Sequence, residues 1–569
     1  MVALSTASPS IAEERNEPAP LAASVVEVTG SDGNWELTVD GDPYTVQGLT
    51  WGPDAQDAAE FMPDLASMGV NTIRTWGTDE TTEPLLDAAE AHGIKVMLGF
   101  WLQPGGGPGS GGCVDYVEDH DYKGEQLYWM NEWVGAYRDH PAVLMWSVGN
   151  ESILGLGDCY DGQELEDQRD AYAEFVNDAA LEIKELDSNH PVSSTDAWTG
   201  AWPYYEANSP DLDLLSVNAY GDVCGIQETW ETEGYDRPYV LTEGGPAGEW
   251  EVDDDANGVP EEPTDVAKAE GYSEAWDCLM DHEGVALGAT LFHYGHEQDF
   301  GGVWFNLVPG EERRLSYYAV AEIFGAEEPA NTPPVITDLT VGGDATAVPA
   351  GGEFTLGADV TDPDGDAVEY DVRASSVYID DDGALVETDF EETGDGSFSV
   401  TAPGVPGPWK VYLLARDGNG NIGIETLSVG VVAPAVDGTN IALGADTTAS
   451  SYQEEGDGAP FPPSNATDGD LDTRWASDWN DPEWLRVDLG SVTSFDHVQL
   501  VWEASYARAY EVQVSDDGDT WTTVHEVTDG VGAVDTAEVS GEGRYVRVLG
   551  TERGTGWGYS LYEFGVYTS

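Results

Sequence analysis

The chain has 569 residues, in which 110 Asp and Glu face 20 Lys and Arg for a formal net charge of −90, and its length accommodates about three or four domains with a proper core in each. Such a charge excludes nucleic acid as a partner, and no apolar run is long enough to predict a helical membrane span. The acid is spread over every segment instead of forming a tail, which predicts a protein of high-salt surroundings, where at about 1 M the Debye length falls to roughly 3 Å.

The N-terminal MVALSTASPSIAEERNEPAP lacks the basic start and full apolar stretch of a signal peptide, so residues 1–30 read as a disordered leader or the tail of a signal. From Asn34 to Pro53 the pattern is a hairpin with an Asp-Gly turn that feeds a first strand ending near Trp51. Strand and helix signals then alternate: a helix over Asp57–Met68, a strand over Asn71–Trp76, a helix over Glu83–His92 and a strand over Lys95–Leu102. A helix over Tyr122–Arg138 leads to a strand starting at Val143. A long helix over Leu165–Leu186 precedes strands at Val192–Asp196, Leu214–Tyr220 and Tyr239–Thr242. A helix over Asp265–Met280, a strand over Ala286–Tyr294 and a helix over Leu315–Phe324 complete the count. Eight strands alternating with helices across residues 31–327 predict a (β/α)8 TIM barrel, whose chemistry belongs at the C-terminal ends of its strands.

The stretch Val143 to Ser152 (VLMWSVGNES) is an apolar run fit for a fully buried strand, and it ends in Asn150-Glu151. The pattern recurs at Tyr239-Val-Leu-Thr242, which delivers Glu243 into Gly244-Gly245. A glycosidase needs two such carboxyls, one holding a proton for the leaving oxygen and one ionised to attack the anomeric carbon. The other strand ends carry Trp51, Arg74 with Trp76, Trp101, Asp196 with Trp198, Asn218 with Tyr220, and His293 with Tyr294. Flat rings beside carboxylates and amides are the composition of a carbohydrate cleft. His293, Tyr294 and His296 lack a completing ligand for a metal, so they read as substrate contacts or packing. The glycine-rich loop Gln103–His120 could cover the cleft or lie aside. Four Cys at 113, 159, 224 and 278 allow three disulfide connectivities. Cys113 and Cys159 follow adjacent predicted strands and are the first expected pair, with free buried thiols as the alternative.

Asn-Glu after Trp-Ser-Val-Gly, with Thr-Glu-Gly-Gly on a later strand, resembles the acid/base and nucleophile motifs of the retaining glycoside hydrolase clan that includes families 2 and 5. The resemblance implies Glu151 as general acid/base and Glu243 as nucleophile, a retaining outcome, and carboxyls about 5 to 5.5 Å apart. It also implies that Arg74 and Tyr220 hold the nucleophile and that Asn150 binds the sugar 2-hydroxyl, with no catalytic cofactor. Two departures stand out. Here the barrel precedes the β-domains, and Phe292-His293-Tyr294 occupies the place of a strand-eight Trp, for which Trp304 is the candidate substitute.

A Pro-rich linker, EEPANTPP, ends the barrel, and short alternating runs over residues 333–432 predict an immunoglobulin-like β-sandwich. Its Asp362-Pro-Asp364-Gly-Asp366 could bind calcium but reads first as a turn. Residues 440–569 resemble the discoidin, or factor 5/8 type C, family in NATDGDLDTRWAS, WLRVDLG, YEVQVSDDGDTW, RYVRVLG and WGYSLYEFGVY. This implies a galactose-binding-like β-sandwich (jelly roll) that acts as a carbohydrate-binding module. Its expected structural calcium site is Asp468, Asp470, Thr473 and Glu563, and its candidate sugar-stacking rings are Trp502, Tyr506, Trp557 and Tyr559.

Together these features lead us to expect an extracellular or cell-surface monomer that hydrolyses a β-glucan or β-mannan type polysaccharide. A β-glucan transglycosylase and a non-catalytic carbohydrate-binding or adhesion protein are the alternatives.

Overall fold

The computed structural model describes residues 23–106, 110–295, 303–376, 385–394, 396–454 and 460–569. Its first element is a hairpin. Val26–Ser31 pairs antiparallel with Asn34–Val39, and the turn between them needs left-handed backbone at Asp32 (φ 54°) and Gly33 (φ 77°), which Asp-Gly supplies at low cost. The expected leader of residues 1–30 therefore ran too far. The alternation of Val26, Glu27 and Val28 is a strand signal, and Val26 is buried under the barrel with Leu37. Residues 1–22 lie outside the described residues.

Eight parallel strands then close into a barrel. They are β1 (Val46–Trp51), β2 (Thr72–Arg74), β3 (Lys95–Phe100), β4 (Val143–Asn150), β5 (Val192–Asp196), β6 (Leu215–Asn218), β7 (Tyr239–Glu243) and β8 (Ala286–Tyr294). All eight residues of β4 are buried, as a strand covered on both faces requires. The intervening helices are α1 (Ala58–Ser67), α2 (Glu83–Ala91), α3 (His120–Tyr137), α4 (Ser152–Gly155), α5 (Gly162–Leu186), α6 (Trp202–Asn208), α7 (Ile226–Glu233), α8 (Asp265–Asp281) and α9 (Leu315–Ile323). In α5 the buried residues Tyr172, Phe175, Val176, Ala179, Ala180 and Ile183 recur every three or four positions and form the stripe that faces the barrel. The short helices α4, α6 and α7 are too brief for such a stripe and were not expected.

Cys113 pairs with Cys159, as expected, and Cys224 with Cys278. Trp304, the candidate substitute for a strand-eight Trp, is a packed side chain. It is buried, its Nε1 donates to the Ala247 carbonyl at 3.0 Å, and the Lys410 ammonium lies 4.4 Å from its ring centre.

The compact units do not follow the expected boundary at residue 327. Among the described residues, one falls within Met1–Gly244, Ala275–Tyr294 and Ile323–Ala326, and the other within Gly245–Glu274, Gly295–Glu322 and Glu327–Ser569. Within the second unit lies a set of buried ion pairs. Glu262 lies between Lys268 and Lys410, and Asp265 pairs with Arg314 while accepting the Ile424 N–H at 2.8 Å. Glu262 and Lys268 are near neighbours in sequence, but Lys410, Arg314 and Ile424 join them from distant segments, so no local pattern announces the set.

The sandwich pairs a four-stranded sheet with a five-stranded one around Leu356, Val372, Phe398, Val411 and Leu413. The C-terminal domain is built on two long strands, Glu483–Trp502 and Val534–Arg553, paired antiparallel over a core containing Trp475, Leu485, Trp502, Val546 and Phe564.

Candidate active site

At the end of β4 the backbone turns sharply. Gly149 has φ 76°, and a Cβ there would stand 2.0 Å from the Tyr172 hydroxyl, so only glycine fits. Glu151 is itself left-handed (φ 56°, ψ 25°), and its N–H is held by the Thr195 carbonyl at 3.1 Å. Beside it lies the glycine-rich loop. A Cβ on Gly106 would come within 1.9 Å of Glu151 Oε2, and one on Gly105 within 2.3 Å of the Trp101 ring. The described part of this loop thus rests on Glu151, and its smallest residues are what allow that approach. Residues 107–109 lie outside the described residues.

Glu243, 6% exposed, receives donors on both oxygens. Arg74 Nη1 donates to Oε1 at 2.7 Å, Trp76 Nε1 to the same oxygen at 2.9 Å, and the Tyr220 hydroxyl to Oε2 at 2.8 Å. Arg74 Nη2 donates to Asn150 Oδ1 at 2.6 Å, which fixes that amide. Asn218 Nδ2 donates to Glu151 Oε1 at 2.7 Å and lies 3.3 Å from Asn150 Oδ1, while Asn218 Oδ1 accepts the Thr242 hydroxyl at 2.8 Å. The strand-end residues Arg74, Asn150, Glu151, Asn218, Tyr220 and Glu243 are therefore one hydrogen-bonded set.

The two carboxyls differ in a way that assigns the proton. A carboxylate ringed by a guanidinium, an indole N–H and a hydroxyl is stabilised as the anion. The carboxyl of Glu151 receives one donor among the described residues, the Asn218 amide. Burial, followed by the charge of Glu243, pushes its pKa up to about 8, so at neutral pH it carries the proton.

The remaining expected substrate contacts divide. Trp76 reaches Glu243 as described, and Trp101 and Trp198 are partly exposed, Trp198 to 36%. Trp51 and Tyr294 are corrected: both are buried, stacked on each other at 6.3 Å, and pack on Phe61 of α1, with the Tyr294 hydroxyl donating to Asp64 at 2.9 Å. His293 is also corrected. It is buried behind Trp76, with its ring 5.8 Å from the Trp76 ring and Nδ1 bonded to Thr50 Oγ1 at 3.0 Å. His296 lies outside the described residues. Asn218 was placed at a strand end but not assigned to the site, because nothing local shows that its amide spans two neighbouring strands.

In the C-terminal domain Trp502 and Tyr559 are both 1% exposed core residues, contrary to the expectation of sugar platforms. Trp502 packs on Tyr510, and Tyr559 directs its hydroxyl to Asp481. Tyr506 is half-buried against Gly532 and Gly554. Trp557 is 57% exposed, and its partner is Trp479, 54% exposed, with ring centres 4.8 Å apart and planes at 81°. Trp479 was missed because it sits in a polar loop with no motif around it.

The expected calcium residues come together in part. Thr473 donates to Asp468 at 2.8 Å, Glu563 accepts the Gly469 N–H at 2.6 Å, and burial together with the Asp468 carboxylate pushes Glu563 up to about 7. Two neighbouring carboxyl groups beside a hydroxyl are the donor types that a hard, oxygen-seeking cation takes. Asp470 turns its carboxylate to the Asp472 N–H. In the sandwich, Asp362 and Asp366 approach Asp417, whereas Asp364 takes the Thr332 N–H and hydroxyl.

Residues 65–276 match the family model of the glycosyl hydrolases family 2, TIM barrel domain, and residues 446–564 that of the F5/8 type C domain. The mannan endo-1,4-beta-mannosidase F of Aspergillus fumigatus is 22% identical over 292 residues, covering 39% of this chain and 64% of that protein. A Bacteroides uniformis beta-glucuronidase structure is 13% identical with TM-score 0.43, covering 96% of this chain and 67% of that one. Chitosan-binding module 1 of a Paenibacillus sp. IK-5 chitosanase/glucanase is 47% identical with TM-score 0.21, covering 23% of this chain and 98% of the module. The chain spans between 7% and 64% of the length of the curated relatives it matches. The chain therefore carries a TIM barrel domain that matches the family 2 glycosyl hydrolase model, together with a C-terminal F5/8 type C domain.

Proposed function

We propose that the barrel is a retaining β-glycoside hydrolase acting on a β-linked polysaccharide of sugars without acidic groups, of the β-mannan or β-glucan type. The observation that carries this reading is the unequal environment of the two glutamates, one tied as an anion by three donors and the other buried with a raised proton affinity. In the first step Glu243 attacks the anomeric carbon, the bond to the leaving oxygen breaks, and the Glu151 proton passes to that oxygen. The glycosyl ester formed on Glu243 removes its charge, so Glu151 becomes more acidic and stays ionised. It then takes a proton from water, whose oxygen attacks the anomeric carbon and releases Glu243 as the carboxylate. Asn150, with Oδ1 committed to Arg74, has its amide N–H free to donate to a sugar hydroxyl.

Charge argues for the substrate class. Seven of the eight loops that follow the barrel strands contain no Lys or Arg, and the eighth carries Arg313 and Arg314 only at its far end, where Arg314 is buried on Asp265. Among the last residues of the strands the one cation is Arg74, already bound to Glu243 and Asn150. A uronate would bring its carboxylate to two glutamates with nothing to receive it, and like charges in contact cost several kcal/mol. In molar salt, we expect turnover of neutral β-mannan or β-glucan, and a preference of about 100-fold or more for an aryl β-mannoside or β-glucoside over the matching glucuronide. Equal rates would sink the charge argument, and no turnover of any glycoside would sink the hydrolase.

The exposed Trp479–Trp557 pair supports a polysaccharide-docking role for the C-terminal domain, since two crossed rings can receive sugar faces. Replacing both with Ala is expected to weaken pull-down on the insoluble substrate by about tenfold or more, with turnover of a small aryl glycoside as the control. Unchanged pull-down would move docking elsewhere. Calcium, if bound there, would be held by Asp468 and Glu563. Two disulfides and the dispersed acid favour an oxidising, saline exterior as the working place.

A further inference from the structure

The four-residue helix α4 begins directly after Glu151, which stands at the N-cap position, where a short polar side chain such as Asp or Ser ordinarily accepts the exposed N–H groups of its own helix. Glu151 makes no such bond, and its Oε1 goes to Asn218 instead. The cap comes from the neighbouring strand. Asp196, last in β5, accepts the Ile153 N–H at 2.9 Å on Oδ2 and the Leu154 N–H at 3.3 Å on Oδ1. Its other donors are the Ala197 N–H at 3.0 Å and the Tyr205 hydroxyl at 2.9 Å. Burial outweighs these four donors and pushes the Asp196 pKa up to about 6, so above that pH the buried side chain is the anion.

We propose that Asp196 is a positioning residue for proton transfer: by capping α4 in place of Glu151, it leaves the Glu151 carboxyl free for substrate and fixes the turn from which that carboxyl projects. The proposal rests on reading Glu151 as the acid/base. It explains why β5 grips both sides of the turn, since the Thr195 carbonyl takes the Glu151 N–H while the next residue takes the two N–H groups beyond it. It also explains how a non-glycine residue is kept in left-handed backbone, which a free chain would leave.

The charge has a second effect. Glu151 faces Glu243 from β7, Asp196 from β5 and Arg74 from β2, while Asp196 faces Tyr172 from α5 and Tyr205 from α6. Asp196 acts on Glu151 in the same sense as Glu243, favouring the protonated form.

Asp196→Asn keeps the size of the side chain, removes the charge and turns an amide N–H2 toward backbone N–H groups. Its expected signature has two parts. For a glycoside with an alkyl leaving group, kcat/KM falls by about tenfold or more, whereas kcat/KM for the 2,4-dinitrophenyl glycoside, whose leaving group departs without a proton as the ester forms, stays within about threefold. The alkaline limb of the pH profile moves to lower pH by about one unit. Tyr205→Phe withdraws one donor and spares both backbone contacts, so activity on the acid side should fail at a higher pH than in the parent. It supplies an independent reading even if Asp196→Asn does not fold. An equal loss on both substrates with unmoved limbs, or an unmoved acid limb in Tyr205→Phe, would overturn the proposal. Full activity in Glu151→Gln would instead overturn the acid/base assignment on which it rests.

Discussion

Glu243→Gln is expected to lower turnover by about 10⁴-fold or more on every substrate, because no other group can form the ester to the anomeric carbon. It should also destabilise the fold. Arg74 is buried, and its only ion pair among the described residues is with Glu243. The variant therefore leaves a buried guanidinium without its counter-charge, a change that costs about 3 kcal/mol. Thermal unfolding at pH 7 should register that loss. Azide gives an independent test of the role. In Glu243→Ala, azide can enter where the carboxylate was and displace the leaving group directly, yielding the α-glycosyl azide from a β-glycoside. If the variant is as active as the parent, or if the rescued product is the β-azide, Glu243 is not the nucleophile.

The barrel was legible in the sequence because parallel strands and their helices announce themselves locally. The continuous apolar run of β4 and the three-or-four spacing of α5 each need only neighbouring residues to be recognised. Strand ends were equally legible, and with them Arg74, Asn150, Glu151, Tyr220 and Glu243. Side-chain direction was not. Thr50 and His293 point toward one another, while Trp51 and Tyr294, one residue on in each strand, pack outward on α1. One step of pleat parity decides whether a strand-end ring meets sugar or helix, and composition carries no record of it. The same limit hid Asp196, whose role depends on two adjacent strands ending at one height, and Trp479, whose partner lies 78 residues away in sequence (557 minus 479).

Charge taught a related lesson. Dispersed acid made any single Glu look unremarkable, and the distinction between Glu151 and Glu243 lies entirely in their donors. Both end buried strands, yet β7 delivers its glutamate among Arg74, Trp76 and Tyr220, and β4 delivers its own beside an amide and an apolar loop. In a protein with so few cations, where Arg74 stands decides which carboxyl is the anion.

That asymmetry makes Glu151→Gln the counterpart of Glu243→Gln in activity and its opposite in stability. Without the acid, hydrolysis of glycosides with poor leaving groups should fall by about 10² to 10⁴-fold, while formation of the glycosyl ester from a dinitrophenyl glycoside should change little. The alkaline limb near pH 8, assigned to loss of the Glu151 proton, should disappear. For stability, the folded pKa of about 8 lies above the ordinary carboxyl value of 4.5, so the fold prefers the protonated form. The contribution is fully present below pH 4.5 and is lost as pH rises through about 8. Glutamine does not titrate and has the shape of the protonated acid, so the variant avoids that loss. Thermal unfolding of the two proteins should therefore converge at pH 4 and separate above pH 8, with the variant the more stable. Curves that run parallel across that range would mean that Glu151 meets solvent as an ordinary carboxyl, and the proton it is assigned to deliver would then have to come from another group.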